Sequence, residues 1–248
     1  YEKLLIKRGF NGSILLAKNG EIIFEDYHGY ANFSTKAAIT SETSFHLASI
    51  SKTFTGMTIL HLFEQGKLKL DDDVKTFFPE FPYNNITIRL LLSHRSGLPK
   101  YEHVMENNKV LVSYRTNKKG KKVRVLTYVQ NEDAVKKSIV TNKDVLQFLV
   151  SKKPALTFTP DRTYLYCNTN YALLALIIEK ITGQSYPEYM KDSVFNPLGL
   201  KNTFVFNENT LGNYTPSYNY RNAPYKIEKF DCIYGDKNVY STVRDLQL

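Results

Sequence analysis

Ser49 and Lys52 stand three residues apart at the start of an apolar segment, and this pair could perform nucleophilic chemistry. Residues at this spacing on a helix have Cβ atoms roughly 5–6 Å apart, so the amine can reach the hydroxyl. A serine must lose its proton to a base before it attacks a carbonyl. Lysine can be that base where its surroundings lower its pKa from about 10.4 towards 7–8. The pair therefore predicts an acyl-transfer site.

The Ser-x-x-Lys spacing alone is a weak indication, because composition predicts about 1.5 chance matches in a chain of this kind. The position of the pair in the sequence strengthens this indication. The following segment is apolar on most sides, through Phe54, Met57, Ile59, Leu60, Leu62 and Phe63. Lysine is rarely buried without a partner, so we predict a buried helix that presents Ser49 and Lys52 at its first turn and ends at Gly66. The alternative is a serine N-cap beside a lysine that extends to solvent.

A second group of polar residues, Tyr166-Cys167-Asn168, lies just before an apolar segment at 171–182 that predicts a buried helix. Tyrosine has a free pKa of about 10, so its phenolate is a strong base where cations stabilise it. Tyr-x-Asn is a common triplet in this chain. The position of Tyr166, in a turn that leads into a core helix, is what makes it a candidate to complete the site of Ser49.

Composition excludes several other classes of protein. The chain has 248 residues, 42% of them hydrophobic, and no run near the roughly 20 apolar residues of a membrane span, which predicts a globular domain with no transmembrane segment. The net charge of +9 includes a Lys-rich cluster at 118–124. Because no nucleic-acid recognition motif accompanies the cluster, we expect a solvated loop and no nucleic-acid partner. The cysteines and histidines lack metal-binding spacings, so no metal or organic cofactor is expected.

The pattern of apolar and turn residues predicts strands first and helices after them. Asn19-Gly20, between alternating segments at 13–18 and 21–27, predicts a β-hairpin. Three residues are predicted to be helix N-caps: Thr87, Thr141 and Ser185. An inserted hairpin or mobile flap is expected at 101–133, and a surface loop at 214–225.

Five ordered segments resemble the penicillin-recognising serine hydrolases, in particular the branch of class C β-lactamases, D-alanyl-D-alanine carboxypeptidases and their esterase relatives. The segments are 49–56, 91–99, 166–171, 196–200 and 235–242. They extend over almost the whole chain. Ser-x-x-Lys is a signature of β-lactamases and penicillin-binding proteins, and several ordered matches are far more specific than any one of them.

The resemblance implies an α+β fold in which helices flank an antiparallel sheet and form a helical subdomain. It assigns Ser49 as the nucleophile and Lys52 as its proton partner. Tyr166 is then the general base, and Asn168 the ligand of a substrate amide. The implied reaction proceeds through an acyl-enzyme, without a cofactor, on D-alanyl peptides, β-lactams or small esters. His94 matches a segment that is mainly architectural in this family.

Three residues depart from the family pattern. Asp161 and Asn238 stand where relatives usually or often carry glycine, and asparagine tolerates a left-handed backbone better than aspartate does. Cys167 replaces a common serine. It is either a reactive thiol near the site or a buried, inert one.

The family's third motif, a Lys or His followed by a small residue and Gly on an inner strand, has no counterpart after the segment at 235–242. We therefore expect 1–248 to be one serine hydrolase domain that lacks its C-terminal strands and last helix. Its expected parts are sheet strands at 1–45, a helical region at 46–212 and a return toward the sheet at 213–248.

The resemblance also implies an exported protein whose signal is not present in this chain, acting on a small-molecule or peptide substrate. The oligomeric state is left open. The absent third motif motivates an alternative from another class, a catalytically silent module of the same fold that binds peptidoglycan or another ligand.

Overall fold

The protein has an α+β fold in which short antiparallel strands precede and follow a helical body. The structure is a computed structural model that describes residues 1–210 and 215–248. Its strands are β1 (Gly12–Lys18), β2 (Glu21–His28), β3 (Tyr30–Asn32), β4 (Ala37–Ala38), β5 (Phe45–His46), β6 (Asn108–Thr116), β7 (Lys122–Gln130), β8 (Phe204–Val205) and β9 (Val239–Ser241). Its helices are α1 (Ser51–Glu64), α2 (Ile88–Leu92), α3 (Tyr101–Val104), α4 (Asn142–Lys152), α5 (Asn168–Thr182) and α6 (Tyr186–Tyr189), which a π-helical turn at Met190–Phe195 continues.

The strands of the described residues pair antiparallel in four separate sheets. Three of these are two-stranded, β1-β2, β3-β4 and β6-β7, and one has the order β5-β9-β8. In the three-stranded sheet, Phe45 is opposite Ser241 and Phe204 is opposite Tyr240. Because β5 comes just before Ser49, this sheet brings the C-terminal part of the chain next to the predicted nucleophile.

The local sequence rules hold at the turn and cap positions. Asn19 and Gly20 have φ values of 53° and 83°, as a two-residue hairpin turn requires, and the predicted hairpin of β1 and β2 is confirmed. Thr87 accepts a hydrogen bond from the backbone of α2. Thr141 and Ser185 each form a capping box at the start of α4 and α6.

Helix α5 is the centre of the hydrophobic core, as predicted. Every residue from Thr169 to Ile178 is buried, and the helix packs against α1, α2, α4 and α6. A helix that is apolar nearly all round is stable only when other elements surround it. The first turn of α5 is therefore held in a fixed position, next to Tyr166.

The prediction that the helix after Ser49 is buried on most sides is wrong, because α1 buries a largely polar face. Its exposed apolar side chains are Met57 (64% exposed), Leu60 (41%) and Phe63 (43%). Ser51 Oγ accepts a hydrogen bond of 2.9 Å from the backbone of Val239, and Thr55 Oγ1 lies 2.7 Å from the carbonyl oxygen of Gly235. These satisfied polar contacts allow α1 to bury hydroxyl groups against the segment that carries β9.

The insert at 101–133 consists of α3 and a hairpin of β6 and β7, so the hairpin alternative is the one that the structure shows. Tyr214, at the start of the predicted surface loop, lies outside the described residues. From 215 to 225 the chain forms one isolated bridge, between Tyr218 and Pro224. Among the helices of the described residues, none is both long and apolar enough to cross a lipid bilayer.

Candidate active site

Ser49 lies in a 3₁₀ turn, Ala48–Ile50, that runs directly into α1. The structure therefore places Ser49 just before the α-helix, and not in its first turn as predicted. Ala48 has a φ of 47°, in the left-handed region that is unfavourable for a residue with a Cβ atom. This local strain occurs where the chain leaves β5 and turns into α1, and it leaves Ser49 exposed.

Lys52, the second residue of α1, is only 7% exposed, so it is not a surface lysine that extends to solvent. Its Nζ donates hydrogen bonds to Ser49 Oγ at 3.1 Å and to the carbonyl oxygen of Asp236 at 2.5 Å. The carbonyl of Asp236 thus helps to hold the amine beside Ser49. The predicted pairing of amine and hydroxyl is present.

Tyr166 approaches the same oxygen from the start of α5. Its hydroxyl donates a hydrogen bond of 2.7 Å to Ser49 Oγ. Lys52 Nζ lies 4.8 Å from the centroid of the Tyr166 ring. This distance is within the range of a cation–π contact between the amine and the ring.

His94 packs against the ring of Tyr166. Its ring centroid lies 4.5 Å from that of Tyr166, and its Nδ1 accepts a hydrogen bond of 3.2 Å from the backbone N–H of Cys167. Burial, with the charge of Lys52, lowers the pKa of His94 to about 4. The imidazole is therefore neutral at pH 7, which agrees with a positioning role.

The structure does not bring Asn168 into the cavity around Ser49. Asn168 is the first residue of α5, and its amide Nδ2 donates a hydrogen bond of 3.0 Å to Glu102 Oε1. Both residues line a separate cavity of about 470 Å³. Within the described residues, Asn168 Oδ1 and Glu102 Oε2 are buried without a hydrogen-bond partner, so this contact leaves two acceptors unsatisfied.

The cavity around Ser49 is open, about 660 Å³ in volume, and mainly apolar. Its walls include Ile50, Met57, Leu60 and Leu92. The exposed apolar face of α1 thus forms part of this cavity. An acyl group could lie against that face with its carbonyl carbon over Ser49.

Asp236 is a site residue that sequence reasoning missed. It is fully buried, and its Oδ2 accepts a hydrogen bond of 2.8 Å from the hydroxyl of Tyr101. Burial raises the pKa of Asp236 to about 6, against the opposing charges of Lys237 and Lys52. The segment at 235–242 is one of the five that resemble the family, but its sequence does not predict that the Asp236 carboxyl is buried.

Glu102 is the second missed residue. It lies in a short helix, α3, whose four residues are too few for a periodic pattern. Tyr101 contacts Asp236, whose carbonyl binds Lys52, and Glu102 contacts Asn168. Helix α3 therefore connects the surroundings of Ser49 with the cavity lined by Asn168. The sequence contained no indication of this link.

The structure favours the inert alternative for Cys167. The thiol is buried, its Sγ lies 3.4 Å from the carbonyl oxygen of Leu98, and burial raises its pKa. A thiol with a raised pKa is mostly protonated at neutral pH and reacts slowly.

The two residues that replace family glycines both keep a left-handed backbone. Asp161 has a φ of 64° and Asn238 a φ of 78°. Asp161 Oδ1 accepts a hydrogen bond of 2.8 Å from Arg95 Nε, and Asn238 Nδ2 donates one of 2.7 Å to the carbonyl oxygen of Ile233. These side-chain contacts offset part of the strain that glycine would avoid.

Comparison with known proteins gives consistent matches. The model of the family described as Beta-lactamase matches residues 5–248. Penicillin-binding protein 4* of Bacillus subtilis (strain 168) is 34% identical over 262 residues, which cover 99% of this chain and 52% of that protein. The chain therefore spans about half the length of this relative.

Solved structures agree with the sequence matches. FmtA from Staphylococcus aureus has a TM-score of 0.74 at 25% identity, over 99% of this chain and 62% of that one. The octameric penicillin-binding protein homologue from Pyrococcus abyssi has a TM-score of 0.70 at 27% identity, over 95% of this chain and 50% of that one. Both similarities extend over nearly all of the present chain.

Proposed function

The chain belongs to the β-lactamase family, and from this premise we propose that it is the acylating part of a penicillin-binding-type serine hydrolase. The observation that carries the proposal is the convergence of Lys52 Nζ and the Tyr166 hydroxyl on Ser49 Oγ, at 3.1 Å and 2.7 Å. A serine becomes an effective nucleophile when such groups can take its proton.

In the proposed reaction, Ser49 Oγ attacks the carbonyl carbon of an acyl donor while Tyr166, as the general base, accepts the Ser49 proton. Lys52, whose Nζ is hydrogen-bonded to Ser49 Oγ, is the proton partner of the nucleophile. The backbone N–H of Ser49 contributes to stabilising the oxyanion of the tetrahedral intermediate. The intermediate collapses as Tyr166 returns the proton to the leaving group, which leaves an ester on Ser49. Water then attacks the ester carbonyl while Tyr166 accepts a proton from it. The second tetrahedral intermediate collapses with cleavage of the bond to Ser49 Oγ, and Tyr166 returns the proton to that oxygen, which releases the acid product and restores the free serine.

The proposed substrates are D-alanyl peptides, β-lactams or small esters. Each has a carbonyl that an acylating serine can attack, and the apolar walls of the Ser49 cavity suit a small acyl group. We assign Asn168 to the amide of an extended substrate that reaches from this cavity toward the one lined by Glu102. An exported location is part of the same proposal, because D-alanyl peptides of the cell wall lie outside the cytoplasmic membrane.

Covalent labelling tests the proposal. The folded protein is incubated with a fluorescent penicillin and, separately, with a fluorescent fluorophosphonate, and then denatured and separated by electrophoresis. We expect at least one probe to remain attached, and expect Ser49→Ala to lose that label. If a correctly folded protein takes neither probe, the chain is instead a silent binding module of the same fold.

A further inference from the structure

The hairpin of β6 and β7, residues 108–130 and here called the basic hairpin, is charged with one sign only. It contains no Asp or Glu. Its described cationic side chains are all exposed: Arg115, Lys118, Lys119, Lys121, Lys122 and Arg124. Asn117 Oδ1 accepts hydrogen bonds of 2.9 Å from the backbones of Lys119 and Lys121, so the lysines lie in a defined turn at the tip. The result is a projecting element with a dense positive charge at its end.

Behind the tip, the basic hairpin exposes apolar and aromatic side chains. Tyr114 is opposite Arg124, and Val112 is opposite Leu126, so these four side chains share one face. Tyr128 lies two residues beyond Leu126 on the same face. Tyr114 and Tyr128 are 68% and 69% exposed. Leu111 and Val123 are exposed on the opposite face.

This apolar surface is not covered by the rest of the described structure. The main contacts of β6 and β7 are with each other. Scattered exposed apolar residues are ordinary, but a continuous set on a projecting hairpin marks an interaction surface. The charge pattern limits the partner to one that is anionic.

We propose that the basic hairpin binds the surface of an anionic lipid bilayer. The lysines of the tip would lie among the phosphate headgroups, where each cation attracts anionic lipid. The tyrosines suit the interface because each has an apolar ring and a polar end. Leu126, on the same face as the two tyrosines, favours a bilayer over a soluble polyanion, because a phosphate polymer has no apolar region in which an aliphatic side chain can be buried.

The hairpin also has a fixed relation to the candidate active site. Asn131, at its base, donates hydrogen bonds of 2.8 Å to the carbonyl oxygens of Val104 and Glu106. These residues follow Glu102, which contacts Asn168. Docking of the tip would therefore hold the Asn168 side of the site at about one strand length from the headgroups, roughly 30 Å for nine residues. The proposal does not depend on the hydrolase function, because binding can be measured without a substrate.

Vesicle co-sedimentation tests the charge component. Vesicles of pure phosphatidylcholine are compared with vesicles in which about one lipid in three is phosphatidylglycerol. We expect binding to the anionic vesicles only, and its loss when the salt concentration is raised. Replacing the four tip lysines by glutamine (K118Q, K119Q, K121Q and K122Q) should weaken binding at least about 100-fold.

A matched variant controls for the total charge of the protein. It replaces four exposed lysines elsewhere by glutamine: K36Q, K67Q, K180Q and K201Q. We expect this variant to bind within about 10-fold of the unmodified chain, since distant charges are screened. Equal weakening in both variants would mean that net charge, and not the hairpin, drives the association.

Fluorescence tests insertion. The chain has no tryptophan, so Tyr128→Trp introduces a single reporter on the hairpin and Tyr220→Trp a matched one on an exposed loop. Anionic vesicles should shift the emission of the first variant to shorter wavelength and leave the second unchanged. Leu126→Ser should weaken vesicle binding without changing binding to inorganic polyphosphate. An unshifted Tyr128→Trp spectrum, or polyphosphate binding as tight as vesicle binding, would overturn the proposal.

Discussion

The hydroxyl of Tyr166 lies 2.7 Å from Ser49 Oγ, although 117 positions separate the two residues in the chain. Ser49 comes just before α1 and Tyr166 just before α5, and these two helices pack directly against each other. The distance between the two hydroxyls is therefore set by the packing of core helices. A site built on such elements can hold its reacting groups in place without a substrate.

Removing the Tyr166 hydroxyl should slow acylation. We expect Tyr166→Phe to lower the acylation rate about 10²–10⁴-fold, the range for loss of a general base, with little effect on folding. The rate is measured by stopped-flow fluorescence with a fluorescent penicillin. Tyr164→Phe is the matched control, since Tyr164 is exposed and also contacts His94. Equal rates for the two variants would exclude Tyr166 as the base.

The buried carboxyl of Asp236 should make folding stability depend on pH. Its pKa rises from 3.8 to about 6 on folding, so the folded state favours the protonated form. The stability that protonation provides is complete below pH 4 and decreases as the pH rises through 6. Asp236→Asn cannot ionise, and we expect it to remove this decrease, which is about 2–3 kcal/mol for a shift of this size. Denaturant titrations between pH 4 and 7 measure it, and parallel curves for the two proteins would contradict the prediction.

Gly235 is predicted to tolerate no side chain. Its φ is 93°, and a Cβ atom there would lie 2.5 Å from the carbonyl oxygen of Tyr171 and 2.7 Å from the Cβ of Ala175. We expect Gly235→Ala to destabilise the protein by about 2–4 kcal/mol, from backbone strain and overpacking together. Gly199→Ala is the control, because Gly199 also has positive φ but has open space around it. It should lose only about 1–2 kcal/mol in the same denaturant titration.

Glu102 is predicted to position Asn168 for substrate binding. Glu102→Ala removes the acceptor of the Asn168 amide, and we expect KM for a β-lactam or peptide substrate to rise about 10-fold while kcat changes little. Glu102→Gln keeps an oxygen at this position and should restore most of the affinity. A fall in kcat at constant KM would instead place Glu102 in the chemical step.

Local rules predicted the parts of the fold that depend on neighbouring residues. The Asn19-Gly20 turn and the N-caps at Thr87, Thr141 and Ser185 each involve a few consecutive residues, and all are present. The burial of α5 followed from its continuous apolar pattern. The division of the chain into 1–45, 46–212 and 213–248 stays a prediction.

Features that depend on distant contacts were not predictable. The apolar residues of α1 predicted that the helix is buried. Its buried face is instead largely polar, because Ser51 and Thr55 form hydrogen bonds with the backbone in and just before β9. The interior position of Asp236 and the link from Glu102 to Asn168 likewise arise from tertiary packing. The periodicity of apolar residues in one sequence predicts which side chains share a helix face, but not which other element packs against that face.

Identifying the residue that carries a penicillin adduct tests the central claim most directly. The folded protein is treated with a penicillin, digested, and analysed by peptide mass spectrometry. We predict one adduct with the mass of the whole penicillin, because opening the β-lactam ring releases no atoms, on the peptide that contains Ser49. An adduct on another residue, such as Cys167, or the same adduct in the Ser49→Ala variant, would contradict the assignment of Ser49 as the nucleophile.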